Sequence, residues 1–133
     1  MALDASFVGR AFPASGPYHV TREKVREFAD AIGATDHPDE VAPPTFPIVI
    51  TLPAGRVIID DLGIEYSRVV HGDQRFAYTR PVVAGDVLSC VCTVEEMMAR
   101  GGNDFVTTRA DLTDAHGAPV VSVWTRLVVR GAP

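Results

Sequence analysis

A lone histidine, His71, opens the run HGDQRFAYTRPVVAGD, which closes on a proline and a Gly-Asp turn. Imidazole changes charge near neutral pH, so a histidine at the head of a strand is a candidate proton-transfer group. A proton transferred at one carbon needs a second group to complete the reaction, and no partner acid or base is evident beside His71. Two roles follow for it. It is either a polar residue lining a ligand channel, or a ring hydrogen-bonded to backbone that braces a bend permitted by Gly72. The brace is the preferred expectation. His19, in a short edge strand, and His116, in a hairpin turn, are expected to face solvent.

Sulfur offers little more. Cys90 and Cys92 stand two apart in LSCVCTV, and in a strand such residues project from one face roughly 7 Å apart, which suits a disulfide poorly. As metal ligands they lack a second pair, and the histidines are scattered. Two reduced thiols acting as small core hydrophobes are expected, with no metal site.

The elements that must position these residues belong to a chain of 133 residues, read as one domain over 1–133. A hydrophobic fraction of 47% and a net charge of −5 suit a globular protein and argue against nucleic-acid binding, which needs a basic face. The start, MALDASFVGRAF, lacks the pattern of a signal peptide, and the longest apolar stretch is too short to span a bilayer. A cytoplasmic location without membrane attachment is the expectation.

FPASGPYHV reads as a turn into a short edge strand. Thr21 is placed to cap a helix in which Val25, Phe28, Ala29 and Ile32 recur at helical spacing, and Gly33 to end it. After the acidic loop ATDHPDEVAPP, Thr45 is expected to cap a second helix, apolar on nearly every side and therefore buried. Pro53 should bend or break it into segments near 46–52 and 54–62. Four antiparallel strands follow: one alternating at Gln74, Phe76 and Tyr78, two joined by the hairpin RGGND, and VVSVWTRLVV after the turn DAHGAP. A sheet curved around the second helix would explain that helix's apolar character.

In this layout APPTF, VVHGDQRFAYTRPVVAGDVL and DAHGAPVVSVWTRLVVRG, taken in order, resemble the MaoC-type dehydratase N-terminal family (FAS1-like dehydratases) over nearly the whole chain. The resemblance extends to accessory subunits of the (3R)-hydroxyacyl-carrier-protein dehydratase of mycolic-acid elongation. It implies an α+β hot-dog fold, a long antiparallel sheet curled around one central helix. It also implies lyase chemistry on an acyl thioester of fatty-acid type: water added to or removed from C2–C3 of a (3R)-hydroxyacyl chain carried on coenzyme A (CoA) or acyl carrier protein (ACP). No metal or redox cofactor is implied.

Catalytic members of that wider family carry Asp-x-Asn-Pro-x-His-x-Asp in the loop before the central helix. Here the corresponding stretch is GATDHPDEVAPPTF, in which Asp36 and His37 only echo the pattern: the asparagine is missing and no histidine follows Pro38. The first amides of the central helix would be the natural donors to an enolate-like oxygen. Pro47 has no N–H, which leaves Phe46 and Ile48. The catalytic candidates are thus Asp36, His37 and His71, all weak. Thr45, Phe46, Ile50, His71, Gly72, Phe76 and Tyr78 are the substrate-binding candidates, although ordinary core packing is the preferred expectation for Phe46, Ile50, Phe76 and Tyr78.

The first expectation is an accessory, non-catalytic hot-dog subunit that shapes an acyl channel and dimerises with a catalytic hot-dog chain. Two alternatives stand beside it: an active homodimeric (R)-specific enoyl-CoA hydratase using Asp36, His37 or His71, and a binding module that holds an acyl thioester without turnover. A hot-dog thioesterase is weaker, because Asp60 and Asp61 come too late in the helix. Arg22, Lys24 and Arg26 could attract an acidic carrier or CoA phosphates, but a solvated helix face is the commoner use of such residues.

Overall fold

The computed structural model describes residues 3–13 and 16–131. Helix α1 spans Arg22–Ala31. Thr21 caps it, accepting from the Lys24 N–H at 3.1 Å. At its other end the Gly33 and Ala34 amides donate to the Asp30 and Ala29 carbonyls, closing a turn in which Gly33 adopts φ 79°. That backbone shape favours glycine and explains the stop. Val25 and Ala29 are buried, and Phe28 meets Phe46 edge to face at 5.5 Å. Ile32, expected on the same face, is 53% exposed because it lies past the last helical turn.

Helix α2 runs unbroken over Ile48–Asp61, against the expected interruption at Pro53. The proline removes one N–H and stays on the exposed side, while Ile50 before it and Ile58 and Ile59 after it are held in the core. Packing on both flanks outweighs the local cost of about 3 kcal/mol. Thr45 does not cap α2. Pro47 occupies that position with φ −54°, already helical, and its carbonyl accepts from the Ile50 and Thr51 amides. Nor is α2 buried all round: Leu52 and Val57 are 46% and 51% exposed.

Six strands are found among the described residues, β1 (Ala11–Pro13), β2 (Tyr18–His19), β3 (Val69–Tyr78), β4 (Val87–Arg100), β5 (Asn103–Thr113) and β6 (Pro119–Val129): the expected short edge strand and four long strands, together with one more, β1. Their order is β1-β4-β5-β6-β3, with β2 also on β4, and every pairing is antiparallel. The long central strands form because each alternates apolar and polar residues, so that one face can be buried. Leu88, Cys90, Cys92 and Val94 of β4, Val106, Ala110 and Leu112 of β5, and Val121, Val123 and Leu127 of β6 line the inner face. They pack with α2 and Phe46 in one core. This is the sheet-on-helix arrangement that the resemblance implied. Both cysteines are free and buried, as their spacing suggested.

The Pro81–Asp86 turn is more than glycine geometry. Asp86 takes a bidentate pair from Arg80 at 2.9 and 3.0 Å and accepts from the Val83 N–H at 2.9 Å. Arg80 also reaches Asp114 at 3.5 Å, tying this turn to the one between β5 and β6.

Candidate functional site

A register shift between His71 and Asp73 marks a bulge in β3 at Gly72. An added Cβ on Gly72 would lie 3.1 Å from Val128 Cγ2, so the close approach of β6 favours glycine there. The extra residue has a directional consequence. Before the bulge Val69 and His71 sit opposite Val129 and Leu127; after it Gln74, Phe76 and Tyr78 sit opposite Thr125, Val123 and Val121. His71 and Gln74, three apart, therefore both lie on the sheet's inner side.

Between that inner face and α2 lies a cavity of about 380 Å³. Its α2 wall includes Thr51, Leu52, Arg56 and Ile59; the sheet supplies His71, Cys92, Thr108, Thr125 and Leu127. Exposed Leu52, Arg56, Tyr66 and His71 mark the outer end, where the Arg56 guanidinium lies 4.1 Å above the Tyr66 ring. Buried Thr51, Cys92, Thr108 and Ala110 mark the inner end. The sheet contributes a polar row there, since Gln74 pairs with Thr125 and Thr125 with Thr108 across neighbouring strands. Gln74 Nε2 donates to Thr125 Oγ1 at 2.9 Å and to the Trp124 carbonyl at 3.0 Å. On α2, Thr51 Oγ1 is buried with no hydrogen-bond partner among the described residues.

The thiols beside this cavity are poor nucleophiles. Burial pushes Cys90 up to about 12. It also raises Cys92, against a smaller opposing hydrogen bond with Thr108. Since the thiolate is the reactive form, neither is poised for attack.

The expected brace at His71 is not found: among the described residues its ring has no hydrogen bond to backbone, and the bulge itself bends the strand. The ring lines the cavity. Asp36 and His37 lie elsewhere, outside the cavity lining. The His37 ring bonds the Val41 carbonyl at 2.5 Å, while Arg26 donates to the Thr35 carbonyl at 3.0 Å and to the His37 carbonyl. That histidine and arginine tie the loop to itself and to α1. Phe46 is fully buried, and Ile50 faces a second, apolar groove of about 490 Å³ on the other flank of α2. Thr45, exposed, precedes the helix. Phe76 stacks on Tyr78 at 6.4 Å, and the Tyr78 hydroxyl, which burial pushes up to about 12, donates to the Pro44 carbonyl at 2.5 Å.

The helix start offers fewer donors than the sequence suggested. The Phe46 amide donates to the Pro43 carbonyl at 2.9 Å, Ile48 to Thr45 at 3.2 Å and Val49 to Phe46 at 3.0 Å. With Pro47 lacking an N–H, this first turn has its amides already engaged, and the expected contribution of Phe46 and Ile48 to an oxyanion site is withdrawn. The basic residues are occupied too: Arg22 pairs with Asp39 and Glu40, and Lys24 with Glu27. No group of three metal-ligating side chains occurs among the described residues. Nor, among those residues, is any helix long and apolar enough to cross a membrane.

The missed residues are Thr51, Thr108 and Thr125. The sequence carries only part of their signal: each places a hydroxyl at an inward position of an otherwise apolar pattern, but no spacing brings the three together.

Comparison with known proteins places this geometry in context. A family model described as "FAS1-like, dehydratase domain region" matches residues 6–123. The chain is 48% identical to a UPF0336 protein of Streptomyces coelicolor, over 99% of this chain and 98% of that one. It is 46% identical to a UPF0336 protein of Saccharopolyspora erythraea, over 98% and 94%. Among solved structures it resembles a chain of the C-terminally truncated HadBC (3R-hydroxyacyl-ACP dehydratase) complex from Mycobacterium tuberculosis. That match has TM-score 0.80 and 28% identity, covering 92% of this chain and 96% of that chain. A MaoC-like dehydratase gives TM-score 0.82 and 29% identity over 96% of this chain and 43% of that one.

Proposed function

The chain belongs to the FAS1-like dehydratase domain family, and from that premise we propose that it is an accessory subunit of a (3R)-hydroxyacyl-thioester dehydratase. In this role it supplies a wall of the acyl channel, and a catalytic hot-dog partner supplies the acid–base pair. One observation carries the reading: His71 lines the cavity while Asp36 and His37 lie outside its lining. Dehydration needs a group to move the C2 proton, another to release water at C3, and donors for the thioester oxygen. His71 alone cannot serve both proton-handling roles, and the amides opening α2 are engaged within the chain.

The need for a partner has its own support. Among the described residues β3 pairs only with β6, so its other edge is free to continue a sheet. Towards that edge Leu52, Tyr66 and Val70 are exposed, between 46% and 57%, an apolar surface suited to burial. The HadBC neighbour is itself a complex. In the assembled enzyme the cavity between α2 and the sheet receives the acyl group, while CoA or ACP stays outside.

Co-expression with a hot-dog chain carrying Asp-x-Asn-Pro-x-His tests the proposal by sizing and by hydration of trans-2-octenoyl-CoA. A stable complex that turns over, with this chain inactive alone, is expected. Failure to associate, or brisk turnover by this chain alone, overturns it.

A further inference from the structure

Gly55 stands midway along α2, where glycine is, after proline, the poorest helix residue. A glycine in such a place ordinarily serves a left-handed backbone or the close approach of a neighbour. Neither applies to Gly55. Its backbone is helical and outside the left-handed region, and a Cβ built on it would meet nothing within 4 Å among the described residues. The position is half-buried all the same, because it lines the cavity between α2 and the sheet. Thr51, Leu52, Arg56 and Ile59 line that cavity from the same helix, two of them within a turn before Gly55 and two within about a turn after it. Gly55 is thus the centre of the α2 wall, and the space left by its missing side chain belongs to the cavity.

We propose that Gly55 marks the crossing point of the thioester arm: the narrow chain joining the acyl group to its carrier passes over α2 here, against bare helix backbone. The proposal rests on the acyl-channel reading and deepens it. A bulky carrier stays outside a cavity of about 380 Å³, so the thioester lies towards the outer end, where exposed Leu52 and Arg56 flank Gly55 on the helix. A methyl group at Gly55 would occupy volume that the arm itself fills, whatever the length of the tail beyond it. The competing occupant is a helix of a partner subunit, which needs the same space.

Calorimetric titration of the purified chain with butanoyl-CoA and octanoyl-CoA, for the parent and for Gly55→Ala, tests this beside thermal melts of both. Gly55→Ala should melt a few degrees higher, since alanine favours the helix and its methyl meets nothing. It should bind both thioesters about tenfold more weakly, the effect of one methyl forced into filled space. The factor should be the same for both, because the crossing point precedes the tail. Gly55→Leu should abolish binding in a chain that still folds. Unchanged affinity in Gly55→Ala, a loss confined to octanoyl-CoA, or a lower melting temperature overturns the proposal and leaves the acyl-channel reading standing. Where affinity is unchanged but sizing shows weaker association with a catalytic hot-dog chain, the occupant is the partner and the proposal is equally overturned. If the parent binds neither thioester, both fall.

Discussion

Replacing Thr51 by valine should make the free protein more stable. The two side chains share a branched shape, so helix preference and packing change little, and the hydroxyl becomes a methyl. Thr51 is 6% exposed and its oxygen has no partner. A buried hydroxyl left unbonded costs about 1–3 kcal/mol relative to one that is satisfied or absent. Taking the lower half of that range, the variant should gain about 1–2 kcal/mol. For a chain of 133 residues this corresponds to roughly 3–8 °C in Tm. Scanning calorimetry on ligand-free protein, with urea melts as a check on two-state behaviour, measures it directly. A variant that melts at the same temperature or lower would refute the reasoning, because it would mean that the hydroxyl is already satisfied in solution.

Other outcomes follow from the same contacts. Asp86→Asn should cost about 2–3 kcal/mol in urea melts, since it weakens a bidentate pair at a mostly buried carboxylate; a loss under about 0.5 kcal/mol would reduce the pair to surface decoration. Cys90 and Cys92, both raised by burial, should resist alkylation at pH 8 in the native state and react once unfolded. In the assembled enzyme His71→Ala should keep kcat within about tenfold of the parent, because loss of a general acid or base costs ~10²–10⁴. Backbone N–H groups of Ala118 and His116 hold Asp114 below its ordinary 3.8. Its contribution is therefore present above about pH 4 and lost as pH falls through the lower folded value. Asp114→Asn should flatten the acid limb of urea midpoints measured between pH 5 and pH 2.

What was legible in the sequence was whatever rests on periodicity. The alternation in β3–β6, the cap at Thr21 and the stop at Gly33 depend on local pattern, and the fold agrees with each. Pro53 misled because tertiary packing of Ile50 and Ile58 holds together a helix that local propensity would break. Thr45 looked like a cap, but Pro47, with its ring already at a helical φ, starts the helix instead. The candidate site was half visible. His71 was found, but its direction depends on a bulge that only the pairing with β6 reveals. Thr51, Thr108 and Thr125 become neighbours only once α2 lies on the sheet, so no spacing in the sequence announces them. Leu52 and Val57 remain exposed, so the apolar run of α2 is longer than its packing on its own sheet requires.

The most direct measurement is the hydration rate of trans-2-octenoyl-CoA by the purified chain, alone and after mixing with a catalytic hot-dog subunit. The expected result is a background rate for the chain alone, with activity toward chains that fill the cavity rising at least tenfold when this chain joins the catalytic subunit. Steady turnover by the isolated chain, abolished by His37→Ala or His71→Ala, would contradict it.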